Sequence, residues 1–198
     1  MFKLLIASNN PDKVREIAEL LSGLEVELLS LLDFPQLPPT LEDRDTIAGN
    51  AMKKALEASR QTGLICLADD TGFFIEALDG EPGVKAARFA GEHCSYKDNR
   101  DKALRLLLGE SDRRAEFRTC VALAAPDGII AIKEGIMPGS ITTEENGANG
   151  FGYDSIFQPE ASERTYAQMS DPEKNENSHR ARSLNLIRPV LADIISTQ

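Results

Sequence analysis

Four short segments hold the residues able to do chemistry. Phe151-Gly152-Tyr153-Asp154 joins two aromatic faces, suited to stacking on a base, to a carboxylate that can accept an N–H. Gly152 would let the backbone approach a ligand closely. Further on, Lys174 and Ser178-His179-Arg180 add donors near a helix N-terminus. Earlier in the chain, Asp69-Asp70-Thr71-Gly72 follows an apolar run. Carboxylates at the carboxyl end of a buried strand lie where open α/β sheets bind ligands. Hard oxygens without a neighbouring His or Cys suit Mg²⁺, with Mn²⁺ as a substitute. Side chains alternate along a strand, so one aspartate can ligate metal while the other orients water. Glu42 is a candidate second ligand from a nearby loop, and Asp43 and Asp45 compete with it. Finally, Ser8-Asn9-Asn10-Pro11-Asp12-Lys13 leads into a helix N-terminus, where free amides and the positive dipole end attract phosphate. Lys13 adds charge there. In this order the four segments suit a nucleoside triphosphate, its metal and its base. Lys13 and Lys174 are expected to act on phosphate charge more than on base identity.

These residues need elements to position them. Residues 2–7 read as a buried strand. Asn10 can cap the next helix, with Pro11 at its first position. Val14, Ile17, Ala18 and Leu21 form its apolar stripe, and Gly23 ends it. A second strand at 26–29 completes a βαβ pattern and predicts parallel pairing. Pro35, Pro38 and Pro39 enforce a loop. A helix follows over 46–62, stopped by Gly63, and then a short central strand at 64–68 with the two aspartates at its end. Ser95-Tyr96-Lys97-Asp98 is a capping box for a helix over 96–108 that Gly109 closes. Strands at 115–125 and 129–134 flank Pro126-Asp127-Gly128, a hairpin signal, so the second half should be antiparallel. Residues 146–150 form a mobile turn before Phe151. After Ser178, the residues Leu184, Ile187, Leu191, Ile194 and Ile195 keep helical spacing, with Pro189 as a kink or break. The pattern predicts an α/β fold, a mixed sheet covered by helices, without fixing the strand order.

A chain of 198 residues fits one domain, spanning 1–198, and 41% hydrophobic content allows a real core. The net charge of −10, from 22 basic and 32 acidic residues, argues against non-specific nucleic-acid binding. A small metal-bound phosphate ester is still compatible. At about 4 Å and an effective dielectric near 20, one basic contact is worth up to ~4 kcal/mol before desolvation, enough to outweigh a distant field. No stretch approaches the ~20 apolar residues of a membrane span, and no signal peptide is expected. Cys66, Cys94 and Cys120 form no C-x-x-C pair, and an odd count fits a reducing, cytoplasmic setting. Cys66 should be plain core, and His93 has no role.

With these residues in place, the chain resembles the inosine/xanthosine triphosphate pyrophosphatase family over residues 4–184. The match is strongest at Ala68-Asp69-Asp70-Thr71-Gly72, Gly80-Glu81-Pro82-Gly83-Val84, residues 150–154, Glu173-Lys174-Asn175 and Ser178-His179-Arg180. The resemblance implies an elongated α/β fold with two lobes around a nucleotide cleft, usually a homodimer. It implies that Ser8, Asn9, Asn10, Pro11, Asp12 and Lys13 hold the triphosphate. Glu42 and Asp70 would bind Mg²⁺, and Asp70 would also accept a proton. Thr71, Phe151, Gly152, Tyr153, Asp154, Lys174, His179 and Arg180 would contact the nucleotide. The implied activity cleaves ITP, dITP, XTP or dXTP to the monophosphate and pyrophosphate. Three departures stand out. Gly49 replaces a common glutamate, Ser155 replaces a proline, and Asn9 and Asp12 replace glycines.

Other phosphohydrolase patterns fit less well. Arg15-Glu16-Ile17-Ala18-Glu19 mimics part of a Nudix box, but Leu20 and Ser22 break it. Asp69-Asp70-Thr71 lacks the spacing of a haloacid-dehalogenase motif, and neither a Walker A loop nor a dinucleotide glycine motif occurs. A nucleotide sensor without turnover would use the same residues, with Gly49 as its only support.

Overall fold

The computed structural model describes residues 1–197. It contains strands β1 (Phe2–Ile6), β2 (Val26–Ser30), β3 (Ile65–Ile75), β4 (Pro82–Gly83), β5 (Arg114–Ala125), β6 (Gly128–Ile141) and β7 (Phe157–Pro159). Its helices are α1 (Pro11–Leu20), α2 (Ile47–Thr62), α3 (Tyr96–Leu106), α4 (Asp171–Asn177) and α5 (His179–Ser196). The seven strands form one mixed sheet in the order β2-β1-β3-β5-β6-β7, with β4 paired to β3. β1 lies parallel to β2 and to β3, as the βαβ pattern requires. β3 with β4, and β6 with β7, are antiparallel.

The chain divides into two compact units. The first comprises Met1–Asp70, Thr119–Gly135 and Arg180–Gln198, and the second Thr71–Arg118 and Ile136–His179. In the first unit Leu4 and Ile6 of β1, Ile17 of α1, Leu67 of β3, Val121 and Leu123 of β5, and Leu184, Ile187 and Leu191 of α5 share one core. Pro189 does not end α5. The buried Leu184, Ile187 and Leu191 stand on both sides of it and hold the helix to the core, offsetting the hydrogen bond that proline removes. In the second unit Phe73, Phe117, Tyr153, Phe157 and Tyr166 pack together. Phe73 lies 4.5 Å from both Phe117 and Tyr153.

Two strands run longer than their apolar runs suggested. β3 continues through Asp69 and Asp70 to Ile75, because the apolar alternation resumes at Phe73 and Ile75 and β4 pairs with Phe73 and Phe74. The aspartates therefore stand within the strand, not at its end. β6 continues past Pro138-Gly139 to Ile141, and β7 pairs with its last three residues. A Cβ at Gly139 would lie 2.3 Å from the Gln158 carbonyl oxygen, so only glycine admits that pairing. Cys66 and Cys120 are free and buried, and Cys94 is half-buried. Burial pushes both buried thiols up to about 11.

Candidate active site

In the first unit the site is built where β1 leaves β3. The parallel pairing ends at Ile6 opposite Leu67, and the Ala7 amide gives a last bond to Leu67 O at 2.7 Å. The chain then turns into α1. Asn10 caps this helix, its Oδ1 accepting the Asp12 and Lys13 amides at 3.0 and 3.3 Å, while Ser8 Oγ accepts the Asn10 amide at 3.2 Å. The cap itself thus engages amides expected to be open to phosphate. The charged donor on this turn is Lys13. Its ammonium stands 3.2 Å from Asp69 Oδ2. Burial lowers the Lys13 pKa in spite of Asp69.

Asp69 also meets α5. Arg180 donates to Asp69 Oδ2 from Nε at 3.2 Å and from Nη2 at 3.0 Å, and its Nη1 bonds Glu16 of α1. Arg180, Asp69 and Glu16 are all buried. Burial alone would raise the Asp69 pKa, but Lys13 and Arg180 outweigh it and hold the carboxyl well below the usual range. Asp69 is therefore an ionised anchor for two cations.

Asp70, whose side chain alternates with that of Asp69, faces α2. Lys54 Nζ donates to Asp70 Oδ1 and to Glu42 Oε1, each at 2.8 Å, and Asn50 Nδ2 reaches Asp70 Oδ2 at 3.3 Å. Asn50 and Lys54 are one turn apart on α2, so a single helix face presents both. Asn50 Oδ1 also accepts the Arg44 amide at 3.0 Å, tying the acidic loop to the same helix. Among the competing acids of that loop, Asp43 is drawn aside by Lys53 at 2.8 Å and Asp45 is exposed, whereas Glu42 shares a cation with Asp70. Burial raises the Asp70 pKa, partly countered by Lys54, which makes Asp70 a stronger base than a surface aspartate. At Gly49 a Cβ would lie 2.9 Å from Arg44 Cβ, so the Arg44 side chain fills the space where a longer residue would begin.

Glu42 and Asp70 fit a hard divalent cation, because they already share one positive charge, the Lys54 ammonium. Among the described residues no group of three or more His, Cys, Asp or Glu side chains forms a cage. Two carboxylates suffice for Mg²⁺ that keeps waters and binds substrate phosphates. Asp69 fits less well, since two cations already hold its Oδ2.

The second unit holds a separate cluster. Asp154 Oδ2 accepts the Lys174 ammonium at 2.6 Å and the Phe151 amide at 2.8 Å. The Lys174 ammonium stands 4.8 Å from the Phe151 ring and 5.5 Å from the Tyr166 ring. Gly150 makes room, since a Cβ there would fall 2.1 Å from Asp154 Oδ2. Two aromatic candidates face inward instead. Tyr153 stacks on Phe73 and donates its hydroxyl to Ala86 O at 2.8 Å. His179 is buried and stacks on Phe117 at 4.5 Å. Their side chains build the core, and Asp154 is equally buried, whereas Phe151 stays half-buried. Thr71 follows Asp70 on β3 and is half-buried.

Sequence reasoning missed Lys54, Asn50 and Glu16. The i, i+4 pair Asn50 and Lys54, directly after an acidic loop, was the available signal. Glu16 had the weaker cue of lying one turn after Lys13.

A profile of the Ham1 family matches residues 4–190. The chain is 42% identical over 191 residues to the dITP/XTP pyrophosphatase of Desulforamulus reducens, covering 96% of this chain and 95% of that one. It is 43% identical over 190 residues to the dITP/XTP pyrophosphatase of Geobacter sulfurreducens, covering 95% and 96%. The solved structure of a HAM1 protein from Coxiella burnetii superposes with a TM-score of 0.88 at 37% identity, covering 98% of this chain and 100% of that one. The buried acids of β3, the lysines that meet them and this near full-length likeness agree: the chain belongs to the Ham1 family.

Proposed function

We propose that the protein hydrolyses deaminated purine nucleoside triphosphates, dITP and XTP foremost, to the monophosphate and pyrophosphate. The observation that carries this reading is the Glu42–Lys54–Asp70 bridge beside Lys13, in a chain about 40% identical to dITP/XTP pyrophosphatases. Asp70 takes the proton of the attacking water, its carboxylate placed by Lys54 and Asn50. Lys13 meets phosphate charge, and Asp69 and Arg180 hold Lys13 in place. Ser8, Asn9, Asn10, Pro11 and Asp12 shape the turn that presents it. Glu42 and Asp70 would hold Mg²⁺, whose chemistry is to neutralise phosphate oxygens and polarise the bond to be broken. Phe151, Gly152 and Asp154 recognise the base, with Lys174 setting the Asp154 carboxylate.

A 6-oxo purine offers an acceptor where adenine has an amino donor. The sequence-based expectation assigns that acceptor to donors at His179-Arg180, but His179 faces the core and Arg180 the Asp69 and Glu16 carboxylates. Backbone amides of the 151–154 turn would therefore be its donors. A mismatch at a buried donor costs about 1–3 kcal/mol, roughly 5- to 150-fold. We infer a homodimer that works in the cytoplasm. Among the described residues no helix is long and apolar enough to cross a membrane. The test is a panel of ITP, XTP, GTP, ATP and dUTP with pyrophosphate detection. Preference for ITP and XTP is expected. Orthophosphate as product, or ATP or dUTP matching ITP, overturns the proposal.

A further inference from the structure

Helix α3 presents two side chains, one turn apart, to the 151–154 turn. The rings of Tyr96 and Phe151 lie 6.0 Å apart. Arg100 Nη1 donates to the Gly152 carbonyl at 2.9 Å. Arg100 Nε donates to Glu145 Oε2 at 2.9 Å, and the same oxygen accepts the Ser155 hydroxyl at 2.8 Å. The Arg100 and Glu145 side chains are 17% and 32% exposed, and Ser155 is buried. All these residues belong to the second unit.

Gly152 has φ +62°, a conformation that glycine adopts without cost, and beyond its two chain neighbours no atom lies within 4 Å of where its Cβ would be. The turn is held by the buried Tyr153 ring, by the Asp154 amide bonded to Phe151 O at 3.1 Å, and at the Gly152 carbonyl by Arg100, the charged and therefore stronger donor. Ser155, which departs from the proline expected there, closes the arrangement by holding Glu145 against Arg100.

We propose that Arg100, held by Glu145 and Ser155, is a positioning residue for base selection. It sets the Gly152 carbonyl, and through it the placement of Phe151 and Asp154. The proposal rests on the reading of 151–154 as the base-recognising turn. A planar guanidinium bonds a carboxylate and a carbonyl together, which a single ammonium does not match in geometry.

The test measures kcat and KM for ITP and ATP by pyrophosphate release, with thermal unfolding, for Arg100→Ala, Arg100→Lys, Glu145→Gln, Ser155→Ala and Asp154→Asn. Arg100→Ala should raise the ITP KM about tenfold, keep kcat within about threefold, and lower the ITP-over-ATP ratio by a similar factor. Arg100→Lys should recover only part of that loss, and Glu145→Gln and Ser155→Ala should fall between wild type and Arg100→Ala. Folded Arg100→Ala with wild-type KM and selectivity, while Asp154→Asn loses selectivity, overturns the role of Arg100 alone. So does a loss confined to kcat. Unchanged selectivity in Asp154→Asn overturns the base-turn reading and the inference with it. If Arg100→Ala does not fold, wild-type selectivity in both Glu145→Gln and Ser155→Ala overturns the proposal.

Discussion

Each unit pairs a lysine with a buried aspartate, and the two pairs differ in their surroundings. In the second unit the buried Lys174 meets Asp154 beside aromatic rings. In the first unit Lys13, Lys54 and Arg180 meet Asp69, Asp70, Glu42 and Glu16. In the first unit neighbouring carboxylates share cations, an arrangement that a divalent metal would join; in the second a lysine and its carboxylate lie among aromatic rings. On the function proposed above, the first would serve the metal and the triphosphate and the second the base.

The sharpest way to break this contrast is Asp70→Asn. It keeps the shape of the site but removes the base, so turnover should fall ~10²–10⁴-fold in a pyrophosphate-release assay. Retained turnover would separate the acidic cluster from the chemistry. Next comes Arg180→Met, which takes a buried cation from Asp69 and Glu16 and leaves Asp69 to Lys13. A loss of about 3–5 kcal/mol is expected, read from urea unfolding. A loss under 1 kcal/mol would show that the network adds nothing to folding.

A smaller effect distinguishes the two lysines. Lys13→Ala should raise KM for every triphosphate alike, by roughly 10- to 100-fold for a lost charged contact. Lys174→Ala should act unequally on ITP and ATP, because its ammonium holds Asp154 beneath Phe151. This departs from the sequence-based expectation that both lysines serve phosphate. Equal losses on both substrates would restore it. The smallest effect expected is Gly150→Ala, at φ +70° and pressed on Asp154. It should destabilise by more than ~1 kcal/mol in thermal unfolding, and wild-type stability would contradict the geometry.

The sequence already showed the parallel β1–α1–β2 unit, the Asn10 cap, the helix that Gly63 stops, and Asp69-Asp70 as the acidic centre. Local chemistry decides all of these. It could not show that β3 continues through the aspartates, since Thr71-Gly72 resembles a strand end and only pairing with β4 extends it. It also could not tell which aromatic faces inward. Tyr153 and His179 have the types of ligand-facing residues, but Phe73 and Phe117 claim them through long-range packing. Lys54 was overlooked for a related reason. A lysine on an amphipathic helix looks like a solvated surface residue until α2 packs beside β3.

The Lys54 ammonium between Glu42 and Asp70 has a practical consequence for handling the protein. A site whose opposing carboxylates already share an internal counter-charge does not need a metal in order to stay folded. Chelation should therefore silence the protein without melting it, unlike the zinc-dependent domains that collapse when stripped. Dialysis against EDTA should leave a cooperative unfolding transition, and Mg²⁺ should then return full turnover and raise the midpoint only by what its own binding contributes.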